Sequence, residues 1–313
     1  MKQNKKSHIR NMKKSEQKSK TIEVNYSEIF TPEELSKITG HTIDECAEKI
    51  EKKRVKNQIL STNELNQNLK HHSLNKNRIS LNSNNFNDLL GGGFSLRTFY
   101  FFYGEYATGK TQICHDLAFR LINSKKKDTS ASVLYIDTEK SFRPERLSEI
   151  AKFNEESIPT SDLLNRIKIF DIGSTTTLKI ILEKLAKENL DENYQLLVID
   201  SLTNYIRADF HDEKKSNIFV TRDFKKLMKL LAEIKNKHNM IIVITGQVKG
   251  IQTKFDKFSV KPIMEYIINE YVDEIVYLYR DERKSRYAQL MNSTKYPEKE
   301  IEFKITNFGI QDP

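Results

Sequence analysis

No stretch of the 313-residue chain approaches the roughly 18 consecutive apolar residues that a membrane-spanning helix requires. The N-terminus is basic with no apolar segment behind it, which argues against a secretory signal. Only two cysteines occur, Cys46 and Cys114, far apart and without CxxC spacing. That removes a disulfide framework and a zinc site from consideration and makes a reduced intracellular compartment the expectation. No repeat of solenoid period is visible. Apolar residues make up 37% and charged residues 30%, both shifted by a polar N-terminal third.

What is present begins with charge. The formal net charge is +9, and residues 1–20 supply +7 of it through eight Lys and Arg against the single Glu16. Residues 1–27 therefore read as a basic tail, either a handle for nucleic-acid phosphates or a disordered solubilising segment. Residues 28–56 read as a small helical hairpin. Thr31-Pro32-Glu33-Glu34 and Thr42-Ile43-Asp44-Glu45 carry N-cap and capping-box spacing, Gly40 and His41 connect the two, and Leu35, Ile38, Ile43, Ala47 and Ile50 supply apolar faces. Residues 57–79 form an Asn-rich linker.

From about residue 80 to 313 the pattern alternates between strands and helices. Phe99 to Tyr103, Ser132 to Asp137, Ile167 to Asp171, Leu196 to Asp200 and Met240 to Thr245 are compact apolar runs, expected to be strands buried on both faces of a mostly parallel sheet. Leu178, Ile181, Leu182 and Leu185 keep helical spacing, as do Phe224, Leu227, Met228 and Leu231. Further strands are expected near Val272 to Tyr279, Arg286 to Met291 and Glu300 to Thr306. The fold class is α/β, with helices on both faces of the sheet.

Chemistry concentrates at Gly104-Glu105-Tyr106-Ala107-Thr108-Gly109-Lys110-Thr111, a complete GxxxxGK[ST] between an apolar strand and an amphipathic helix. Glycines let the backbone N–H groups turn inward to phosphate oxygens beside a helix N-terminus. Lys110 would reach the β- and γ-phosphates of ATP, and the Thr111 hydroxyl would bind Mg²⁺; Gln112 follows directly. Asp200, ending the run Leu196-Leu197-Val198-Ile199, is either the Mg²⁺ carboxylate or an ordinary strand-ending Asp. Glu139, following Tyr135-Ile136-Asp137-Thr138, is either the general base for the attacking water or an exposed loop Glu.

Four segments carry a family resemblance: GEYATGKTQICHDLAFRL (104–121), YIDTEKSFRPERL (135–147), LLVIDS (196–201) and IVITGQV (242–248). Together they resemble the archaeal and eukaryotic branch of the RecA/RadA recombinases, from roughly Ser80 to the C-terminus. The hairpin is similar, more weakly, to the family's helix-hairpin-helix domain, which binds duplex DNA. The resemblance implies a RecA-like P-loop ATPase core, a DNA-dependent ATPase activity and assembly of many copies on single-stranded DNA. It assigns catalysis to Glu139, Lys110 and Gln247, the last as a γ-phosphate sensor, and sets Arg143 against the adenine. Two loops would face DNA, one at about 207–222 with Arg207, Lys214, Lys215 and Arg222, the other at about 248–262 with Lys249, Lys254, Lys257 and Lys261. Each of these basic residues is otherwise a solvated surface cation. The implied location is the nucleoid of a prokaryote or the nucleus of a eukaryote.

The chain departs from the family's pattern at several positions. Lys140 stands where family members usually have Gly, and Gly246 where they have Asn. Pro262-Ile263-Met264-Glu265 replaces a Pro-Ile-Gly-Gly stretch. Asn292 replaces an Asp that caps the neighbouring protomer's ATP, and Ile59-Leu60-Ser61-Thr62 is the best match to a Phe-x-x-Ala subunit anchor. Three readings follow: a strand-exchange recombinase, a paralogue that loads or regulates a recombinase partner, or a RecA-fold ATPase outside recombination.

Overall fold

The computed structural model describes residues 78–124, 131–154, 158–190, 193–204, 206, 217–250 and 260–313, together with Pro32, Ser36 and 40–48. The basic tail, linker residues 57–77 with the anchor segment, much of the hairpin including Leu35, Ile38 and Ile50, and the loop residues Arg207, Lys214, Lys215, Lys254 and Lys257 lie outside the described residues. The chain divides into two compact units, 1–74 and 75–313.

Within the first unit, a helix over 43–48 starts as the sequence predicts. The Thr42 N–H donates to Glu45 Oε2 at 3.0 Å and the Glu45 N–H donates to Thr42 Oγ1 at 3.3 Å, a reciprocal capping box. Gly40, at φ 73°, donates its N–H to Ser36 O at 2.9 Å. Ile43 is 49% exposed rather than packed, and Cys46 is the buried residue of this turn.

The second unit runs α1 (Asn84–Leu89), β1 (Phe99–Gly104), α2 (Lys110–Ser124), β2 (Ser132–Asp137), α3 (Pro144–Phe153), α4 (Thr160–Asn165), β3 (Ile167–Asp171), α5 (Thr175–Lys187) and β4 (Tyr194–Asp200). It continues with α6 (Asn217–His238), β5 (Ile241–Gly246), β6 (Val248–Gly250), β7 (Val260–Pro262), α7 (Glu265–Tyr271), β8 (Glu274–Arg280), β9 (Arg286–Ser293), β10 (Lys299–Thr306) and β11 (Gly309–Gln311). Nine strands form one sheet in the order β11-β10-β9-β8-β1-β5-β4-β2-β3, and β6 pairs with β7 in a separate hairpin. The six strands from β8 to β3 are mutually parallel, while β9, β10 and β11 extend one edge antiparallel.

Side-chain alternation along β1 explains why its run is apolar throughout. Tyr100 and Phe102 enter the core formed with α1 to α4, whereas Phe99, Phe101 and Tyr103 enter the one formed with α5 to α7. The strand Ile167 to Asp171 departs from the expectation of burial on both faces: only Ile167 is buried, and Ile169 is 46% exposed. β3 is the end strand of the sheet, so one row of its backbone groups and much of its surface meets solvent.

Parallel pairing brings the C-terminal ends Gly104, Asp137, Asp200 and Gly246 to one edge of the sheet, the edge where ligands bind in open α/β folds. The opposite end of the chain is tied to α1. Asp312 accepts from the Ser83 hydroxyl and from the Asn84 and Asn85 N–H groups, supplying acceptors for the free N–H groups of that helix. Among the described residues no helix is long and apolar enough to cross a membrane.

Phe86 anchors α1. It is fully buried, with its ring edge-on to Phe303 at 5.6 Å and tilted against Phe102 at 6.2 Å. Phe86→Ala should lower the unfolding free energy by about 3–5 kcal/mol in urea titrations, with an unchanged m-value.

Candidate nucleotide site

The loop between β1 and α2 is shaped by close approaches. A Cβ at Gly104 would lie 2.1 Å from the Leu278 carbonyl oxygen on β8, and Gly109 has φ 115°. Ala107 takes the left-handed conformation at φ 62° without a glycine. The Thr108 hydroxyl closes the loop on Glu105 O at 2.9 Å, and Tyr106 is 88% exposed at its tip. Lys110 is buried, and its ammonium donates to Gly104 O at 2.8 Å and Glu105 O at 2.6 Å. Burial pushes its pKa below the ordinary value, against the opposing pull of Glu139 and Asp200.

Asp200 is the convergence point. Its Oδ2 accepts from the Thr111 hydroxyl at 2.7 Å, the Tyr135 phenol at 3.0 Å and the Ser141 hydroxyl at 3.1 Å, while Oδ1 accepts from Thr245. α2, β2, the loop after β2 and β5 each contribute one donor. Among the described residues there is no group of three or more His, Cys, Asp or Glu that could hold a metal ion. One carboxylate beside one hydroxyl fits Mg²⁺, which keeps several waters and takes its other ligands from substrate phosphates. Tyr135, Ser141 and Thr245 were not singled out in the sequence. Their only signal is a hydroxyl on strands or loops flanking the acidic strand end.

Asp137 builds the loop that carries Glu139. Its Oδ1 accepts from the N–H groups of Glu139 and Ser141, both at 3.1 Å, and its Oδ2 accepts from the Phe142 N–H at 2.9 Å. Glu139 stands exposed at the rim, and the Ser201 hydroxyl donates to its Oε1 at 2.6 Å. Thr138 and Ser201 lock the two strand ends together through bonds of 2.7 and 2.9 Å, and the Asp200–Ser201 peptide is cis. Gln247 is half-buried just beyond β5, with its N–H on the Thr203 hydroxyl at 2.9 Å. Asp137, Ser201 and Thr203 are further residues that sequence reasoning missed.

His115 connects the phosphate loop's helix to the segment with Arg143. The Arg143 N–H donates to Nε2 at 3.1 Å, so that nitrogen carries no proton, and Nδ1–H donates to Thr111 O at 2.7 Å. The ring is fully buried and stacks on Phe142 at 5.0 Å. The exposed Arg143 guanidinium folds back onto Lys140 O and Phe142 O. Gln112 Oε1 accepts from Arg146 at 2.7 Å.

Of the residues expected to face DNA, Arg222, Lys249 and Lys261 fall among the described ones. Arg222, on α6, sits 4.9 Å from the centroid of Phe219, and Ile218 and Phe219 are 77% and 55% exposed. Lys261, on β7, is ion-paired with Glu265 at 2.9 Å, and Lys249 belongs to β6. Two departures from the family's glycines fall at left-handed backbone, Lys140 at φ 55° and Met264 at φ 62°, where a side chain costs about 1–2 kcal/mol. At Gly246 a Cβ would meet the Phe101 ring at 2.6 Å. Asn292 is exposed opposite Ile275 on β8, whereas Gly104 pairs with Leu278 nearer the other end of that strand.

Burial holds the His115 pKa below the ordinary 6.5, although its bond to Thr111 O pulls the other way. The unfolded chain therefore takes up this proton first, and stability falls as pH drops through 6.5 toward the depressed folded value. Urea titrations across that window should show a steeper loss for the wild type than for His115→Gln. Gly246→Asn drives a side chain into Phe101 and should cost about 1–3 kcal/mol; an unchanged urea midpoint would mean that the ring yields freely.

The comparisons agree with this geometry. The Rad51 family model matches residues 74–313. The chain is 30% identical over 287 residues to the DNA repair and recombination protein RadA of Aeropyrum pernix, across 90% of this chain and 88% of that protein. It is 29% identical over 227 residues to the protein of the same description from Cenarchaeum symbiosum, across 72% of this chain and 56% of that one. The crystal structure of the RadB recombinase is similar with a TM-score of 0.61 at 26% identity, covering 75% of this chain and 99% of the other. A match over three quarters of the chain, laid on a parallel sheet whose ligand edge carries a complete phosphate loop, makes the protein a member of the Rad51 family, to which recombination, repair, and ATP and DNA binding belong.

Proposed function

We propose that the protein binds ATP with Mg²⁺, assembles in many copies on single-stranded DNA and promotes homologous pairing and strand exchange, hydrolysing ATP in a DNA-stimulated manner. The observation that carries this reading is the convergence of Thr111 on Asp200 beside a Glu139 carboxylate already oriented by Ser201. Lys110 would exchange its two carbonyl partners for the β- and γ-phosphates, trading neutral for charge-assisted bonds. Thr111 and Asp200 would hold Mg²⁺, which neutralises phosphate charge when bound. Glu139, its Oε1 fixed by Ser201, would take the proton of the attacking water. Gln247, at the root of the β6–β7 hairpin, would report the γ-phosphate to the loop between those strands. Arg222, Lys249 and Lys261, with the loop lysines, would contact DNA phosphates without regard to sequence. Duplex DNA would engage the N-terminal hairpin.

A second reading, a paralogue that loads or regulates a recombinase partner, draws on particular observations. Lys140 and Met264 strain the two loops that bear on nucleotide and DNA, Phe101 occupies the space beside Gly246, and Asn292 lacks the charge of an Asp.

Two experiments test the proposal. Lys110→Ala should abolish ATP-dependent DNA binding in filter or anisotropy assays; unchanged binding would sink the mechanism. Negative-stain microscopy with single-stranded DNA, Mg²⁺ and a slowly hydrolysed ATP analogue should show long helical filaments. Isolated particles with ATP binding intact would select the loader reading.

A further inference from the structure

One face of the antiparallel extension carries a chemistry that the nucleotide site does not use. Across β1, β8, β9 and β10 the registers align Tyr103, Tyr277, Gln289 and Glu300 in one row. Two residues along, Tyr279, Tyr287 and Glu302 align in a second row on the same face. The rings form a continuous stack: Tyr103 to Tyr277 at 5.1 Å, Tyr277 to Tyr279 at 5.4 Å and Tyr279 to Tyr287 at 5.1 Å. Tyr103 is buried, but the three outer tyrosines are only half-buried, while α1 and α2 pack on the extension from its other side.

The rim is acidic. The Tyr279 phenol donates to Glu300 at 2.8 Å, and Glu302 stands opposite Tyr287. Burial first raises the phenol pKa values of both inner tyrosines; Tyr277 and then Glu265 add to it at Tyr103, and Glu105 at Tyr277. Gln289 Oε1 is buried and accepts no hydrogen bond from the described residues. Arg280 and Arg286 face the other side of the sheet, so on β8 to β10 only Lys304 brings a cation to this one.

Such a surface repels phosphate and so does not suit nucleic acid. It suits side chains with an apolar stem and a cationic head, which can lie along tyrosine rings and end on a carboxylate. We propose that this face docks a segment of a partner protein rich in arginine and lysine. None of the residues in the two rows is among those assigned to ATP or DNA, although Tyr103 directly precedes Gly104, so the proposal stands whether or not strand exchange does.

The test titrates a fluorescent peptide of alternating arginine and serine into the full chain and reads anisotropy. The paired substitutions Glu300→Gln/Glu302→Gln and, separately, Tyr279→Leu/Tyr287→Leu should each weaken binding by about fivefold or more. Binding of a fluorescent ATP analogue should be unaffected, which shows that each variant folds. Glu183→Gln, on α5, should leave the peptide affinity unchanged. Wild-type affinity in either paired variant, or an equal loss in the Glu183 control, overturns the proposal. So does a change in sedimentation mass in the Glu300/Glu302 variant, because a second copy of the chain would then be the occupant.

Discussion

A single buried carboxylate organises the ligand edge of this sheet. Asp200 is 1% exposed, and an ionised group so placed is costly unless hydrogen bonds replace its lost water. Four hydroxyl groups do so, from Thr111, Tyr135, Ser141 and Thr245. Each belongs to a different piece of chain, so satisfying one side chain fixes α2, β2, β5 and the loop after β2 relative to β4. The positions of Lys110 and Glu139 follow from that arrangement, because Lys110 precedes Thr111 and Glu139 lies between Thr138 and Ser141. Asp137 repeats the strategy one strand away with backbone N–H groups.

Strain sits beside this framework rather than within it. Lys140 and Met264 hold left-handed backbone at the Glu139 loop and at the start of α7. Phe101 fills the space that a side chain at position 246 would need. The phosphate loop keeps its own left-handed positions at Ala107 and Gly109. The hydrogen bonds that converge on Asp200 and Asp137 are therefore complete, and the strained or crowded positions fall on the segments next to them. His115 adds a buried, neutral link between α2 and the Arg143 segment, one that titrates in the acidic range.

On the two proposals charge would divide the surface by function. Of the cations expected to face DNA, Arg222 lies on α6, Lys249 on β6 and Lys261 on β7, whereas the extension formed by β8 to β10 carries tyrosines and glutamates on one face. Repulsion between phosphates and those glutamates, screened over about 10 Å at moderate salt, would keep the two proposed classes of partner apart.

The sequence by itself determined the eight longer strands but not the three-residue β6, β7 and β11, together with the phosphate loop and its helix, Asp200 at a strand end and the family. Those properties are local: they depend on apolar runs, on glycines where the backbone must approach another strand, and on the order of residues within a motif. The run Ile167 to Asp171 shows the limit, because its composition cannot tell a central strand from the end strand that it is. Tertiary structure alone decided which hydroxyls reach Asp200, which nitrogen of His115 carries the proton, and why Gly246 cannot easily bear a side chain. It also decided that tyrosines from three strands form one stack. Each of these depends on register between segments up to 184 residues apart, as between Tyr103 and Tyr287, and register is set by how strands pair rather than by the residues of any one strand.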